Sequence, residues 1–200
     1  MKYNIKEFRE RFAGRGHFTV QDAKKFLKEK GAGEGYSKLL LHNLARRGEI
    51  FRITKGAYTF TKGTSALSSV FSPSYHGLQE ALTIHRIWGQ GTNQVIITPR
   101  KVRSGEREII GRKVIVRRIG RKMFFGHEIV NYGGEWLSVS DPEKTLLDFL
   151  YFREPLDRET QKKLLKMTDA KTLRKYLKLA PKTTRQMALK AFRNLGLVRK

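Results

Sequence analysis

The order of apolar patterns in the first sixty residues constrains the chain most. Ile5, Phe8 and Phe12 form one stripe of a short helix that stops at Gly14-Arg15-Gly16. His17-Phe18-Thr19 suits a small strand. Thr19 and Asp22 then approximate a capping box, with Val20, Ala23, Phe26 and Leu27 as the inward face of a second helix. A glycine-rich turn at residues 31–35 closes that helix, because glycine relieves the left-handed strain of a helix exit. A third helix runs from about Gly35 to Arg47, burying Leu40, Leu41 and Leu44. Glu49-Ile50-Phe51-Arg52-Ile53 and Ala57-Tyr58-Thr59-Phe60, separated by Thr54-Lys55-Gly56, read as a β-hairpin with Ile50, Tyr58 and Phe60 facing inward.

Helix, short strand, helix, helix, hairpin is the order of a winged helix-turn-helix. In such modules the third helix enters the major groove and the wing touches flanking backbone. The groove shows each base pair as a distinct donor and acceptor pattern, so polar side chains must project into it. Tyr36 and Ser37 near the helix start, with His42 and Asn43, are candidates for hydrogen bonds to bases or phosphates. Lys38 and Arg46 would neutralise phosphates, as would Arg52 and Lys55 from the wing. Tyr36 equally suits packing under the glycine turn, and His42 and Asn43 suit solvated positions. Arg46 and Arg47 favour a helix C-terminus whatever the partner.

Charge bears on the same question. The 200 residues hold 42 Lys and Arg against 18 Asp and Glu, a formal net charge of +24. A thermophile's surface raises bases and acids together, whereas a compact object this one-sided repels itself unless a polyanion offsets it. Nucleic acid is therefore the expected partner. No apolar run is long enough to span a bilayer and none near Met1 looks like a secretory signal, so a cytoplasmic, nucleoid-associated protein with no membrane partner is expected. With no cysteine, disulfides, thiolate metal sites and cysteine nucleophiles are excluded.

Composition changes divide the chain into three expected regions. Residues 1–63 (net +9) form the DNA-binding domain, and the small residues of 62–69 read as a linker. Residues 64–152 (net +4) form a mixed α/β domain. Residues 153–200 (net +11) form a basic helical segment packed on it, so the fold class is α+β. In the middle region, Pro73 and Ser74 are expected to open a helix along Leu78, Ala81, Leu82 and His85. Strands are expected at residues 93–98, 114–119, 122–125 and 136–140. Asp141-Pro142-Glu143 then opens an apolar helix: cap, proline at the first position, acid in the first turn. Asp148 on that helix is costly to bury unpaired, which makes Arg117, Arg118 or Lys144 its expected partner.

Ser72-Pro73, Tyr75, Gly77, Ala81-Leu82, Thr98-Pro99-Arg100-Lys101, Val139-Ser140 and Pro142-Glu143-Lys144-Thr145-Leu146-Leu147-Asp148 follow the winged-helix pattern. In this order the chain resembles the AbiEi antitoxin family of type IV toxin–antitoxin systems, over roughly residues 5–150. The resemblance implies an N-terminal domain that represses its own operon. It also implies a C-terminal domain that counteracts a nucleotidyltransferase-like toxin, and no enzymatic activity.

The last region carries three amphipathic helix patterns with stripes Leu164/Leu165, Leu173/Leu177 and Met187/Leu189/Phe192. Lys162, Lys163, Lys166, Arg174, Lys175, Lys178, Lys182 and Arg185 lie on their polar faces, joined by Lys171, Lys190 and Arg193. Acids to oppose them are scarce, so a second phosphate-contacting surface is expected. Enzyme readings are weaker. Glu106 and Glu108 before Gly111-Arg112-Lys113 lack the spacing of a metal-dependent nuclease, and His76 and His85 lack that of a zinc helix. Gly89-Gln90-Gly91 lacks the third glycine of a dinucleotide loop. No catalytic residue, metal ligand or cofactor is assigned. The sequence supports a sequence-specific repressor of duplex DNA, with a sequence-independent chromatin or RNA binder as the alternative and a nuclease behind it. Operator and oligomeric state are not legible in it.

Overall fold

The computed structural model of the chain describes residues 5–33 and 35–194. Residues 1–4, residue 34 and residues 195–200 lie outside that description, as does the side chain of Arg193, placed above on a basic face. The chain is a mixed α+β protein that divides into two units, residues 1–72 with 107–113, and residues 73–106 with 114–200.

The first unit begins with α1 (Ile5–Phe12), β1 (Phe18–Thr19), α2 (Val20–Glu29) and α3 (Tyr36–Arg46). β2 (Phe51–Thr54), β3 (Ala57–Thr59) and α4 (Thr64–Ser69) follow. The box at the start of α2 forms in both directions: Asp22 N–H donates to Thr19 Oγ1 at 3.1 Å, and Thr19 N–H donates to Asp22 Oδ2 at 2.7 Å. Two orphan donors of the helix end are thereby satisfied. β3 is the middle strand of an antiparallel sheet, between β1 and β2. The core is a cluster of rings: Phe8, Phe12 and Phe18 are buried with centroids 4.8–5.6 Å apart, over Leu27, Leu40, Leu41 and Leu44.

The expected linker is not one. Residues 64–69 form α4, whose Ala66 and Leu67 are fully buried. Its fit is close, since a Cβ on Gly16 would stand 2.7 Å from that of Ser69. Small residues resemble a linker in sequence because they suit close packing as well as flexibility.

The second unit is built on a six-stranded sheet: β4 (Tyr75–His76), β5 (Gln94–Thr98), β6 (Gly105–Ile109), β7 (Arg112–Arg118), β8 (His127–Tyr132) and β9 (Glu135–Ser140). Their order is β6-β7-β5-β4-β9-β8, with residues 107–113 of the outer hairpin grouped with the first unit. β4 is antiparallel to β5 and parallel to β9, and β5 is parallel to β7. α5 (Leu78–Ile84) and α6 (Pro142–Phe152) carry apolar faces against it. α7 (Arg158–Lys166), α8 (Ala170–Leu179) and α9 (Lys182–Asn194) pack around α6.

Four expectations need correction here. Residues 75–76 are a central strand rather than helix, because Gly77 breaks the run and α5 starts at Leu78. Residues 122–125 are not a strand; a 3-10 turn at Arg121–Met123 turns Met123 inward, with Met123 N–H donating to Gly120 O at 2.8 Å. Edge strands β6 and β8 lie outside the expected strands, because their residues are mostly exposed and alternate poorly. On α9 the buried stripe is Thr184, Ala188 and Phe192, four residues apart, while Met187 and Leu189 are exposed. α7, α8 and α9, in the basic segment expected to pack on the middle region, fall in one unit with the sheet.

Candidate nucleic-acid interface

α3 turns Leu40, Leu41 and Leu44 into the core of the first unit, so the positions opposite them are left outside. Lys38, His42 and Arg46, spaced four residues apart, form one exposed row there. Arg52 and Lys55 are exposed on the β2–β3 hairpin, whose turn uses Gly56 at φ +79°. A left-handed residue at that point lets the short turn reverse the chain with Lys55 at its tip. Among the described residues, none of Lys38, Arg46, Arg52 and Lys55 pairs with a carboxylate. Arg47 differs, since its guanidinium lies 4.0 Å from Glu49, which also binds Arg9.

Three of the eight expected contact residues stand elsewhere. Ser37 is buried, at 2% exposure, and its Oγ has no hydrogen-bond partner, so it is not available to a groove as assigned. It sits one turn before Leu40 and Leu41, on the same inward side. Tyr36 is half-buried against the ring cluster, the packing alternative for that residue. Asn43 is half-buried. Sequence reasoning also overlooked Lys24, Lys25 and Lys28 of α2. With Gln21, Gly33 and Ser37 they line a groove of about 440 Å³ between α2 and the start of α3. Their spacing on the polar side of α2 was the available signal.

In the second unit, Lys162, Lys163 and Lys166 of α7, Arg174, Lys175 and Lys178 of α8, and Lys182 and Arg185 of α9 are all exposed. Two have other tasks. Lys163 pairs with Glu159 at 2.7 Å. Arg185 Nε donates to Leu177 O at 2.9 Å and its Nη2 to Lys178 O at 3.1 Å, covering the carbonyl end of α8.

Of the titratable residues singled out in the middle region, Asp148, Lys144 and His76 are used inside the fold. Asp148 and Lys144 are completely buried and ion-paired, so Lys144 is the partner among the three considered. Arg117 pairs with Glu154 instead. Lys144 Nζ donates to Tyr75 Oη at 2.8 Å, and Tyr75 Oη donates to Asp148 Oδ2 at 2.8 Å. Burial pushes the Lys144 ammonium down and the Asp148 carboxyl up, each opposed by the other's charge. Burial and the neighbouring carboxylate keep Tyr75 protonated. His76 Nδ1 lies 2.8 Å from Glu80 Oε2, which also accepts from Val95 N–H at 2.7 Å, bracing β4 and β5. Glu106 and Glu108 are exposed on β6. Among the described residues no three His, Asp or Glu are grouped to hold a metal, and no helix is long and apolar enough to cross a membrane.

No protein-family model matches the chain, and no curated protein does. Among solved structures, the crystal structure of the RV2827C protein from Mycobacterium tuberculosis is similar, with a TM-score of 0.57 at 15% identity. The match covers 86% of this chain and 69% of that one. At that identity the likeness is one of fold.

Proposed function

We propose that the chain binds duplex DNA through α3 and the β2–β3 hairpin, acting as a winged helix-turn-helix, and represses transcription from a specific operator. The observation that carries this reading is the row Lys38, His42, Arg46, exposed along a helix whose other side is buried, with Arg52 and Lys55 exposed on the adjoining hairpin. A helix of that width fits the major groove, and hairpin cations suit the flanking phosphates. Lys24, Lys25 and Lys28 on α2 add positive charge within the same unit. The role of antitoxin against a nucleotidyltransferase-like toxin rests on the AbiEi resemblance alone, and a cytoplasmic, nucleoid-associated location goes with it.

The test is a titration of the protein's own upstream DNA against random duplex over a range of salt. A repressor prefers its operator by ~10³-fold or more. Lys38→Ala and Arg46→Ala should each lower the slope of log K against log salt by about one. Equal affinity for all duplexes favours a sequence-independent binder, a reading supported by the exposed cations of α7 and α8. Indifference of affinity to both substitutions overturns the placement on α3.

A further inference from the structure

β5 and β7 run parallel as neighbours, with Gln94 opposite Val114 and Thr98 opposite Arg118. Their carboxyl ends therefore finish side by side. The segments that follow, Pro99-Arg100-Lys101 and Ile119-Gly120-Arg121, line an open cavity of about 510 Å³ together with Arg118 and Tyr151 of α6. Crevices beyond the carboxyl ends of parallel strands are where open sheets take their ligands, because the chain leaves the sheet there. The volume lies in the range of roughly 300–1,000 Å³ typical of small-molecule sites.

The chemistry of the lining is one-sided. Arg100, Lys101, Arg118 and Arg121 are exposed around the cavity, and none of its lining residues is acidic. Lys101, Arg118 and Arg121 brought to one place repel one another, and an anion seated among them offsets that cost. Gly120 N–H donates to Tyr151 Oη at 3.3 Å, which leaves the phenolic proton to be donated in turn. Guanidinium forks match the oxygens of phosphate in pairs. Arg117, one residue back from Arg118 and on the other face of the sheet, is held by Glu154.

We propose that this cavity is a phosphate-binding site, filled by the phosphate groups of a nucleotide or of a nucleic-acid backbone. All of its residues belong to the second unit, and none is among the α3, hairpin or α7–α9 cations described above. It therefore does not depend on the repressor reading.

The experiment titrates the whole chain with pyrophosphate, with ATP and with a short single-stranded oligonucleotide at ~150 mM salt, where loose surface attraction is screened. Binding is followed by calorimetry and by the amide signal of Gly120. At least one probe is expected to bind, and Arg118→Ala with Arg121→Ala should weaken it about tenfold or more. Lys162→Ala with Lys166→Ala removes the same charge elsewhere and should change the affinity less than about twofold. Lys38→Ala with Arg46→Ala should do no more than that, so failure here and failure of the repressor reading are told apart. Tyr151→Phe keeps the ring and removes the donor, and should cost about threefold. Site-dependent binding of pyrophosphate and ATP, not displaced by the oligonucleotide, assigns a free nucleotide. Displacement of both by the oligonucleotide assigns the backbone. Failure of all three probes to bind, or equal losses in the cavity and control pairs, overturns the site.

Discussion

The two units keep their charges in different places. In the first, phenylalanine rings and leucines fill the interior and no described Lys or Arg is buried. In the second, Lys144, Asp148 and Tyr75 form a hydrogen-bonded cluster with no access to water, and His127 stacks on the Tyr75 ring at 5.2 Å. A surface ion pair gains little, because water screens it and two side chains lose freedom. A buried pair is costly to assemble and more costly to break, since removing one partner strands the other's charge. The first unit therefore depends on the fit of apolar shapes, the second on completing a polar set.

The largest effect should come from breaking that set. Asp148→Ala is expected to destabilise the second unit by about 3–5 kcal/mol in chemical denaturation. Replacing the whole set, Lys144→Met with Asp148→Leu and Tyr75→Phe, should recover most of the loss; no recovery would mean the cost lies in packing. The matching change in the first unit, Glu49→Gln, removes the partner of Arg9 at a partly exposed site and should cost at most about 1 kcal/mol.

Glycine substitutions sharpen the contrast. Gly126 has φ +67°, and a Cβ there would lie 2.7 Å from the Tyr176 ring and 2.9 Å from Lys144. Gly126→Ala should therefore cost roughly 2–4 kcal/mol, strain and collision together. Gly31 has φ +79° but open space around it, so Gly31→Ala should cost about 1 kcal/mol, from strain alone. Equal losses in thermal unfolding would contradict the tight fit of α8 around α6. Next in size, Thr19→Ala removes half of the capping box and should cost the first unit about 1 kcal/mol.

The smallest expected effect is acid-dependent and belongs to both units. Hydrogen bonds from Thr19 hold the Asp22 carboxyl below its usual range, and those from Thr160 and Thr172 do the same for Asp157 and Asp169. A lowered folded value means stability present above the unfolded value and lost as pH falls through the folded one. Unfolding monitored from about pH 5 downward should show this loss, beginning near pH 4. In Asp157→Asn with Asp169→Asn, which keep the cap oxygen without the charge, the second unit's share of that loss should shrink.

Much of the first unit was legible because its signals are local. The Thr19–Asp22 box, the leucine face of α3 and the Gly56 turn each lie within a few residues. Ser37 failed as a contact because one position on a helix separates the outward row from the inward one. In the second unit the Asp141-Pro142 start of α6 was equally local, and Lys144 was among the partners considered for Asp148. Tyr75, which completes that cluster, lies 73 residues from Asp148 in the chain. A two-residue strand such as β4 has no periodicity to read. Gly133-Gly134 between β8 and β9 is a local hairpin signal, and its φ values are +61° and +81°. The basic cavity depends on the parallel pairing of β5 with β7, which no window of sequence contains.

The grouping of residues 107–113 with the first seventy-two has a practical consequence. The polypeptide passes from one unit to the other three times, so no single cut separates them intact. A gene fragment ending at residue 72 would omit part of what it was meant to isolate. Exchange of either half between relatives would have to carry two segments together, which disfavours assembly of such a protein by simple end-to-end fusion.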